Sequence, residues 1–518
     1  MIGNLRQDIG RALALLWISL KYGLGPFARW LLGRGVDRDG YPIRVRLAME
    51  ELGVTYLKLG QFLALRHDIL PPELCQELNK LFENVSPMPF DDVRAVVEAE
   101  LGGQLQEFFL SFQQEPLAAA SIAQVHEART RANERVAVKI QRLRIERIFA
   151  ADMRILRRLA VLVDALQLLG RLSTTEMADE FAVWTRREMD FLIEGRTADV
   201  VRRQAVYEAI PRVYWDLTTS RVLTTEFIDG ISLAQLGQLF DRGGIDLVHA
   251  YLPNLQLDQM LHRFAFASLH QLFVSGVFHG DPHPGNILVR GASTIAFVDF
   301  GIFGTLSDQE RAFVSGLVEN IAIGNINESF RYYSKQLTPT DETDPRAFET
   351  EAKAVLLQWY RSTIRADSPL KERHLGRYIG EMIGVSRENH LRMGMRYLLF
   401  WRTLNALDST AMRFPEYFDL MTELREFFTQ VRPGPFRRAL ALATDPDLIS
   451  GSVELVREIP GQIAGLLTDS TRGYGASWLT VYEAKEPLDS RSRSTRWLVV
   501  SVLVISLTVL VTLGRLGS

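Results

Sequence analysis

Two short polar motifs, joined by a predicted β-hairpin, constrain this chain more than any other feature. Residues 279–286 read His-Gly-Asp-Pro-His-Pro-Gly-Asn, with four residues between Asp281 and Asn286. Thirteen residues after Asn286 comes Asp299-Phe300-Gly301, preceded by an apolar run. Residues 286–290 and 294–299 between the motifs predict two strands that turn through 291–293. The ordered pair is more specific than either motif, because Asp-Phe-Gly alone occurs by chance.

The residue types in these motifs suit a site for magnesium and phosphate. Asn286 and Asp299 offer the hard oxygen ligands that Mg²⁺ prefers. Asp281 stands where a kinase-like site orients or deprotonates the attacking hydroxyl. Together these residues predict that the chain binds ATP and Mg²⁺.

A lysine upstream completes this prediction. Residues 136–139 read Val-Ala-Val-Lys, which places Lys139 at the end of an apolar strand, where a kinase holds its phosphate-contacting lysine. Such a lysine needs a carboxylate to fix it; we favour Glu194, in a helix predicted over 174–201, with Glu188 as the rival. Glu226 ends a strand predicted over 221–227 and could meet adenine, although a solvated strand carboxylate is an equally good interpretation.

Short strands followed by long helices predict an α+β, two-lobed protein-kinase-like fold. We expect a helical N-terminal extension over 1–110, an N-lobe over 111–228, a helical C-lobe over 229–445 and a connecting segment over 446–490.

An uncharged apolar run over 497–513 predicts a C-terminal transmembrane helix within 491–516, since at ~1.5 Å per residue it nearly spans a ~30 Å hydrocarbon core. Arginines before it would put the body on the cytoplasmic side of a membrane, in a bacterium the inner one. A buried C-terminal helix is the alternative.

Charge and cysteine content exclude some classes of function. The 59 basic and 62 acidic side chains give a net charge of −3, which argues against a nucleic-acid partner. Cys75 is the single cysteine, so an intrachain disulfide and a multi-cysteine metal site are both impossible.

Two features depart from ordinary protein kinases. Where those have a glycine-rich loop, this chain has alanines, which restrict the backbone more than glycine does. Soon after Gly301, Ser307 and Glu310 predict the start of a helix, which leaves no long activation segment. A platform for peptide substrates is therefore missing, and we expect protein-kinase activity to be suppressed. The loop residues, as candidate phosphate ligands, are Ala118, Ala119, Ala120 and Ser121.

Several motifs in one order resemble the UbiB family of atypical protein-kinase-like proteins, also called aarF-domain kinases. They are Lys-Leu-Gly-Gln at 58–61, the alanine loop at 118–121, Glu-Met-Asp at 188–190 and the later Glu194. The resemblance implies that Lys58 and Gln61 belong to an extension that folds over the nucleotide pocket and regulates it with Glu188 and Asp190. It also implies that Lys58 pairs with Glu188, and Lys139 with Glu194.

The leading hypothesis is a membrane-anchored atypical kinase or ATPase that supports ubiquinone or other prenylquinone biosynthesis. The resemblance alone implies the quinone role, with membrane lipid, prenylquinone intermediates and quinone-biosynthesis enzymes as partners. One alternative is phosphotransfer to a small molecule or lipid. Another is a scaffold or lipid-binding module that binds nucleotide without turning it over.

Overall fold

A computed structural model describes residues 11–22 apart from 12, 16 and 19, and residues 40–81, 86–167, 173–364, 375–414 and 417–431. Within them the chain forms two compact units. The first holds the described residues up to Leu255 together with His279–Phe303; the second holds Gln256–Phe278 and the described residues from Gly304 onward.

The first unit begins with helices. Gly53 separates the helices at 41–52 and 54–64 with φ at +93°, a conformation that glycine adopts readily. Gly60, in the second helix, leaves room for the side chains of Met49 and Leu81. The helices are α1 Tyr41–Leu52, α2 Val54–Ala64, α3 Pro72–Leu78, α4 Phe90–Leu101 and α5 Leu105–Phe108.

An antiparallel five-stranded sheet follows these helices. Its strands are β1 Phe109–Phe112, β2 Ala118–Ala119, β3 Ala123–Thr130, β4 Arg135–Gln141 and β5 Val222–Glu226. The order is β1-β3-β4-β5, with β2 paired to β3. Alternate residues of β4, namely Val136, Val138 and Ile140, are buried in a core that includes α4. Because side chains alternate along a strand, Lys139 lies on the opposite face of the sheet from this core.

Three helices stand between β4 and β5 along the chain: α6 Ile145–Ala165, α7 Thr174–Met189 and α8 Phe191–Gln204. The single helix predicted over 174–201 is therefore wrong. The chain breaks at Asp190, whose carboxylate accepts a hydrogen bond from the Leu192 amide at 3.1 Å and caps α8. Aspartate favours such N-terminal caps over helix interiors, because its side chain competes for backbone amides.

A three-stranded sheet places the polar motifs. Its strands are β6 Ile231–Ser232, β8 Ile287–Arg290 and β9 Thr294–Phe297; α9 Leu233–Tyr251 follows β6, and β7 Val277–His279, of which only His279 belongs to the first unit, precedes β8. Strands β6, β8 and β9 pair antiparallel, and the β8–β9 hairpin turns where the sequence predicted, with Gly291 at φ +60°. The Val298 amide donates to the Asn286 carbonyl at 3.1 Å. Asn286 and Asp299 therefore stand at the same end of the hairpin.

The second unit is mainly helical. Its elements along the chain are α10 Leu257–His270, β10 Phe303–Thr305 (whose first residue closes the first unit), α11 Asp308–Ala322, α12 Ile326–Ser334, β11 Leu337–Thr338, α13 Pro345–Ile364, α14 Leu375–Glu388, β12 Arg392–Met393, α15 Met395–Ala411 and α16 Leu420–Val431. The predicted helix start is confirmed: the Ser307 hydroxyl accepts from the Glu310 amide at 3.3 Å, and the Glu310 carboxylate accepts from the Ser307 amide at 2.7 Å.

The transmembrane part of the predicted fold is corrected. Of the helices in the described part of the chain, none combines the length and the low polarity that crossing a lipid bilayer requires. Residues 491–516, like the connecting segment 446–490, lie outside the described residues. The C-terminal membrane anchor was inferred from the length of one uncharged run and the arginines before it, and both it and the membrane localisation built on it are withdrawn. The α+β part of the prediction agrees with the antiparallel sheets and the helices described above.

A buried histidine in β3 must be neutral in the folded protein. His126 Nδ1 lies 2.8 Å from the Gln113 carbonyl, which can only accept, so this nitrogen carries the proton. The Met88 amide donates to Gln124 Oε1, which turns Gln124 Nε2 toward His126 Nε2 at 2.8 Å. That second ring nitrogen therefore accepts, and burial lowers the pKa of His126.

We expect the free energy of unfolding to fall as pH drops from 7 to 5. The unfolded chain protonates His126 near pH ~6.5, whereas the folded ring resists protonation, so acid favours unfolding. His126→Gln should remove this part of the pH dependence, and His249→Gln, at an exposed histidine, should retain it. Denaturant unfolding at several pH values measures the slope; equal slopes for wild type and His126→Gln would contradict the assignment.

Candidate nucleotide and metal site

Lys139 lies at the centre of a cluster of charged side chains. Its Nζ is 2.8 and 2.9 Å from the two carboxylate oxygens of Glu194 and 3.3 Å from Asp299 Oδ1. Strand β4 supplies the lysine, the first turn of α8 supplies Glu194, and the end of the β8–β9 hairpin supplies Asp299. The structure thus pairs Lys139 with Glu194 rather than with the rival Glu188.

Burial and charge act against each other in this cluster. Burial opposes the ammonium charge of Lys139, but Asp299 and Glu194 outweigh it, and the pKa of Lys139 is raised. For Asp299, partial burial is outweighed by the Lys139 charge and the Gly301 amide, which lower its pKa. Burial dominates at Glu194, raising its pKa to about 7 although Lys139 acts in the opposite direction. At neutral pH the cluster therefore holds an ammonium ion and an ionised Asp299.

The surroundings of Asp299 fit a magnesium ion. Its carboxylate accepts from the Gly301 amide at 2.8 Å, and its side chain is 41% exposed, so oxygen remains accessible to a ligand. A Cβ on Gly301 would lie 3.1 Å from Asp299 Oδ1, so glycine here allows the chain to pass close to the carboxylate. Half-buried Asn286 stands beside it at the hairpin end. A carboxylate and an amide oxygen, completed by water and phosphate, are a typical Mg²⁺ donor set.

Short-range hydrogen bonds hold the segment that contains Asp281. The Asp281 amide donates to His279 Nδ1 at 3.1 Å, and the His283 amide donates to the Asp281 carbonyl. His279 is buried and lies between the rings of Phe297 and Phe300, at 5.7 and 5.5 Å between centroids. This packing ties the first motif to the Asp-Phe-Gly motif and leaves the Asp281 side chain half-buried.

The alanine-rich segment forms a tight turn between β2 and β3. Ala118 pairs with Val125, and the Ala120 amide donates to the Ala123 carbonyl at 2.8 Å. Arg142 Nε donates to the Ala120 carbonyl at 3.0 Å. No sequence motif pointed to Arg142; the signal that was present is a cation immediately after the strand that carries Lys139.

Lys58 and Glu188 form a buried ion pair between α2 and α7. Gln61, one helical turn after Lys58, donates to the Leu81 carbonyl at 3.2 Å. Asp190 caps α8, the helix that carries Glu194. The resemblance gave regulatory roles to these four residues, and the structure gives them three different contacts. Lys58 and Glu188 join the extension to α7, Gln61 bonds within the extension, and Asp190 caps α8.

Glu226 lies at the end of β5, opposite Val136. Its carboxylate accepts from the Arg212 amide at 3.3 Å, and its amide donates to the Arg212 carbonyl at 2.8 Å. These two bonds hold the Glu226 side chain against the backbone of Arg212. An adenine-binding role stays a prediction.

Comparison with known proteins agrees with this geometry. Residues 80–332 match the model of the ABC1 atypical kinase-like domain, and this range contains Lys139, Glu194, Asp281, Asn286 and Asp299. The chain carries an ABC1 atypical kinase-like domain. The predicted resemblance to the UbiB family is thereby confirmed.

Proteins similar to this chain come from bacteria and from a plant. An uncharacterized protein of Synechocystis is 29% identical over 80% of this chain and 59% of its own length. An uncharacterized protein of Mycobacterium tuberculosis is 36% identical over 52% of this chain and 54% of its own. The chloroplastic protein ACTIVITY OF BC1 COMPLEX KINASE 7 of Arabidopsis thaliana is 26% identical over 70% of this chain and 50% of its own. The chain thus spans less than two thirds of these relatives.

Among solved structures, Rv3197 of Mycobacterium tuberculosis, determined with erythromycin, is 20% identical with a TM-score of 0.49. The match covers 73% of this chain and 91% of that one.

Proposed function

We propose that this chain is an atypical kinase or ATPase that binds ATP with magnesium. One observation carries the proposal: Lys139 contacts both Glu194 and Asp299, while Asn286 stands at the same hairpin end as Asp299. Strand β4, helix α8 and the β8–β9 hairpin of one unit thus bring together a lysine, its carboxylate partner and two oxygen donors, which supports a site for phosphate and a metal. The match to the ABC1 kinase-like domain supports the same chemistry.

Each residue has a distinct part in the proposed reaction. Lys139, held by Glu194, donates hydrogen bonds to phosphate oxygens of ATP. Asp299 and Asn286 would hold a magnesium ion, which would supply positive charge against the phosphates. Asp281 orients the attacking water or acceptor hydroxyl. Positioning and charge neutralisation supply most of the rate enhancement, as in other phosphoryl transfers.

The acceptor decides between two forms of this activity. In the leading form it is water, and γ-labelled ATP with magnesium yields labelled phosphate. Asp281→Asn should then reduce phosphate release by about 100-fold, the effect of losing one catalytic group, while Mg-ATP affinity stays within threefold of wild type. A third outcome is that ATP binds, but no phosphate is released and no added metabolite or lipid is labelled. That outcome would establish a nucleotide-binding module and contradict the proposed turnover.

A small-molecule or lipid acceptor is the second candidate. The segment after Gly301 favours it over a protein acceptor, because α11 already begins at Asp308 and no long activation segment intervenes. Label in an added metabolite or lipid, with little free phosphate, would favour this form. We propose that protein phosphorylation is suppressed.

We further propose that the ATP activity supports ubiquinone or another prenylquinone pathway, with pathway intermediates or enzymes as partners. The family resemblance is the sole support for this role. Quinone profiling of cells lacking the protein tests it: the deletion should lower the quinone level, and wild type but not Asp299→Asn should restore it. A normal quinone level in the deletion would contradict the role without affecting the ATP site.

A further inference from the structure

Arg142 is a half-buried cation whose side chain donates hydrogen bonds to backbone carbonyls rather than to carboxylates. Its Nε donates to the Ala120 carbonyl at 3.0 Å and its Nη2 to the Ser86 carbonyl at 2.9 Å. Among the described residues it forms no ion pair, and burial lowers its pKa. A planar guanidinium can span two carbonyls on separate segments, whereas a lysine ammonium is a point charge.

In the turn that Arg142 holds, two backbone amides have no hydrogen-bond partner among the described residues. The Ala120 amide is bonded to the Ala123 carbonyl, but the amides of Ser121 and Ile122 donate to no other group in the part of the chain that the structure describes. Both residues are buried, at 6% and 5% exposure. A buried backbone amide normally has a partner, and consecutive amides in a turn form anion-binding concavities.

The segment before α4, residues 86–88, is also bonded to β3 just after the turn. The Met88 amide donates to Gln124 Oε1 at 2.6 Å, and Gln124 pairs with Ala119 across β2 and β3. Arg142 also donates its own backbone amide to the Ile122 carbonyl at 2.8 Å. Residues 86–88, the alanine turn and the end of β4 are therefore linked by hydrogen bonds from Arg142 and, on the β3 side, by the Met88–Gln124 bond.

We propose that Arg142 is a positioning residue for nucleotide binding. It fixes the alanine turn in a conformation in which the amides of Ser121 and Ile122 donate hydrogen bonds to phosphate oxygens. Other kinases reach such a conformation through flexible glycines, whereas here the turn is held in advance. This inference rests on the proposed ATP function. Because the turn is preformed, losing the clamp weakens nucleotide binding rather than the chemical step.

The test compares Arg142→Lys and Arg142→Met with wild type in the full-length protein. We expect both variants to raise the Kd for Mg-ATP and for Mg-ADP by about tenfold, a loss typical of a hydrogen bond to a charged group. The KM for ATP should rise similarly while kcat stays within threefold. Misfolding would instead lower kcat through the fraction of active protein. In the absence of nucleotide, hydrogen exchange should accelerate in peptides covering 117–123.

Arg129→Lys is the matched control, because Arg129 also donates to a turn carbonyl, that of Asn133, at the far end of β3. It should leave Mg-ATP affinity and exchange over 117–123 unchanged. Wild type that does not bind Mg-ATP would overturn both the proposed function and this role. Wild type that binds Mg-ATP, with Arg142→Lys binding within twofold of it, would overturn the role of Arg142 alone.

Discussion

Asp299→Asn should abolish magnesium-dependent nucleotide binding and reduce ATP turnover by at least about 100-fold, the range for loss of one charge-stabilising group. The change keeps the shape of the side chain but removes its charge. The carboxylate is ionised at neutral pH because Lys139 and the Gly301 amide lower its pKa, and its exposed part offers oxygen to a cation. A neutral amide would leave Asn286 without a charged co-ligand.

The variant should remain folded, because Lys139 keeps both hydrogen bonds to Glu194. Thermal unfolding with and without Mg-ATP measures the effect: ligand at 100 times its Kd stabilises wild type by about 2.7 kcal/mol and should not stabilise the variant. Asp216→Asn, at an exposed aspartate of the same unit, is the control. Equal stabilisation of wild type and Asp299→Asn would remove Asp299 from the metal site.

Features set by short stretches of sequence could be predicted. The β8–β9 hairpin follows from two apolar runs around Gly291, and its register brings Asn286 and Asp299 together without any distant contact. The capping box at Ser307 and Glu310 is also local. For the same reason the spacing of the two polar motifs was informative: the hairpin fixes their relative position.

Features set by packing could not be predicted in this way. Residue patterns left open whether Glu188 or Glu194 pairs with Lys139, because both were assigned to one continuous helix. The break at Asp190 puts them on separate helices. The bond from Arg142 to Ser86 joins segments 56 residues apart, and no local pattern encodes it. The C-terminal prediction is corrected for a related reason: it rested on one uncharged run of near-minimal length and the arginines before it, with no packing information.

Lys139→Met should destabilise the fold by about 3 kcal/mol, the cost of leaving one side of a buried ion pair without its partner. Methionine keeps the bulk of the lysine stem but leaves Glu194 and Asp299 facing each other. Their repulsion, together with burial, should raise the pKa of Glu194 above its value of about 7 in the intact cluster. Since Glu194 then takes up a proton more readily in the folded state than in the unfolded one, stability should fall as pH rises from 6 to 8.

Glu194→Gln in the Lys139→Met background should restore about 1–2 kcal/mol and flatten this pH dependence, because it removes one of the two facing carboxylates. Denaturant unfolding at pH 6, 7 and 8 measures both effects. The single variant Glu194→Gln should be less destabilising than Lys139→Met, as Asp299 still contacts the lysine.

Turnover should stay below about 1% of wild type in the double variant, since phosphate oxygens have lost their cation. Stability restored without turnover would separate the structural part of the Lys139 cluster from its chemistry. Equal stability of Lys139→Met and the double variant at every pH would mean that the two carboxylates do not interact.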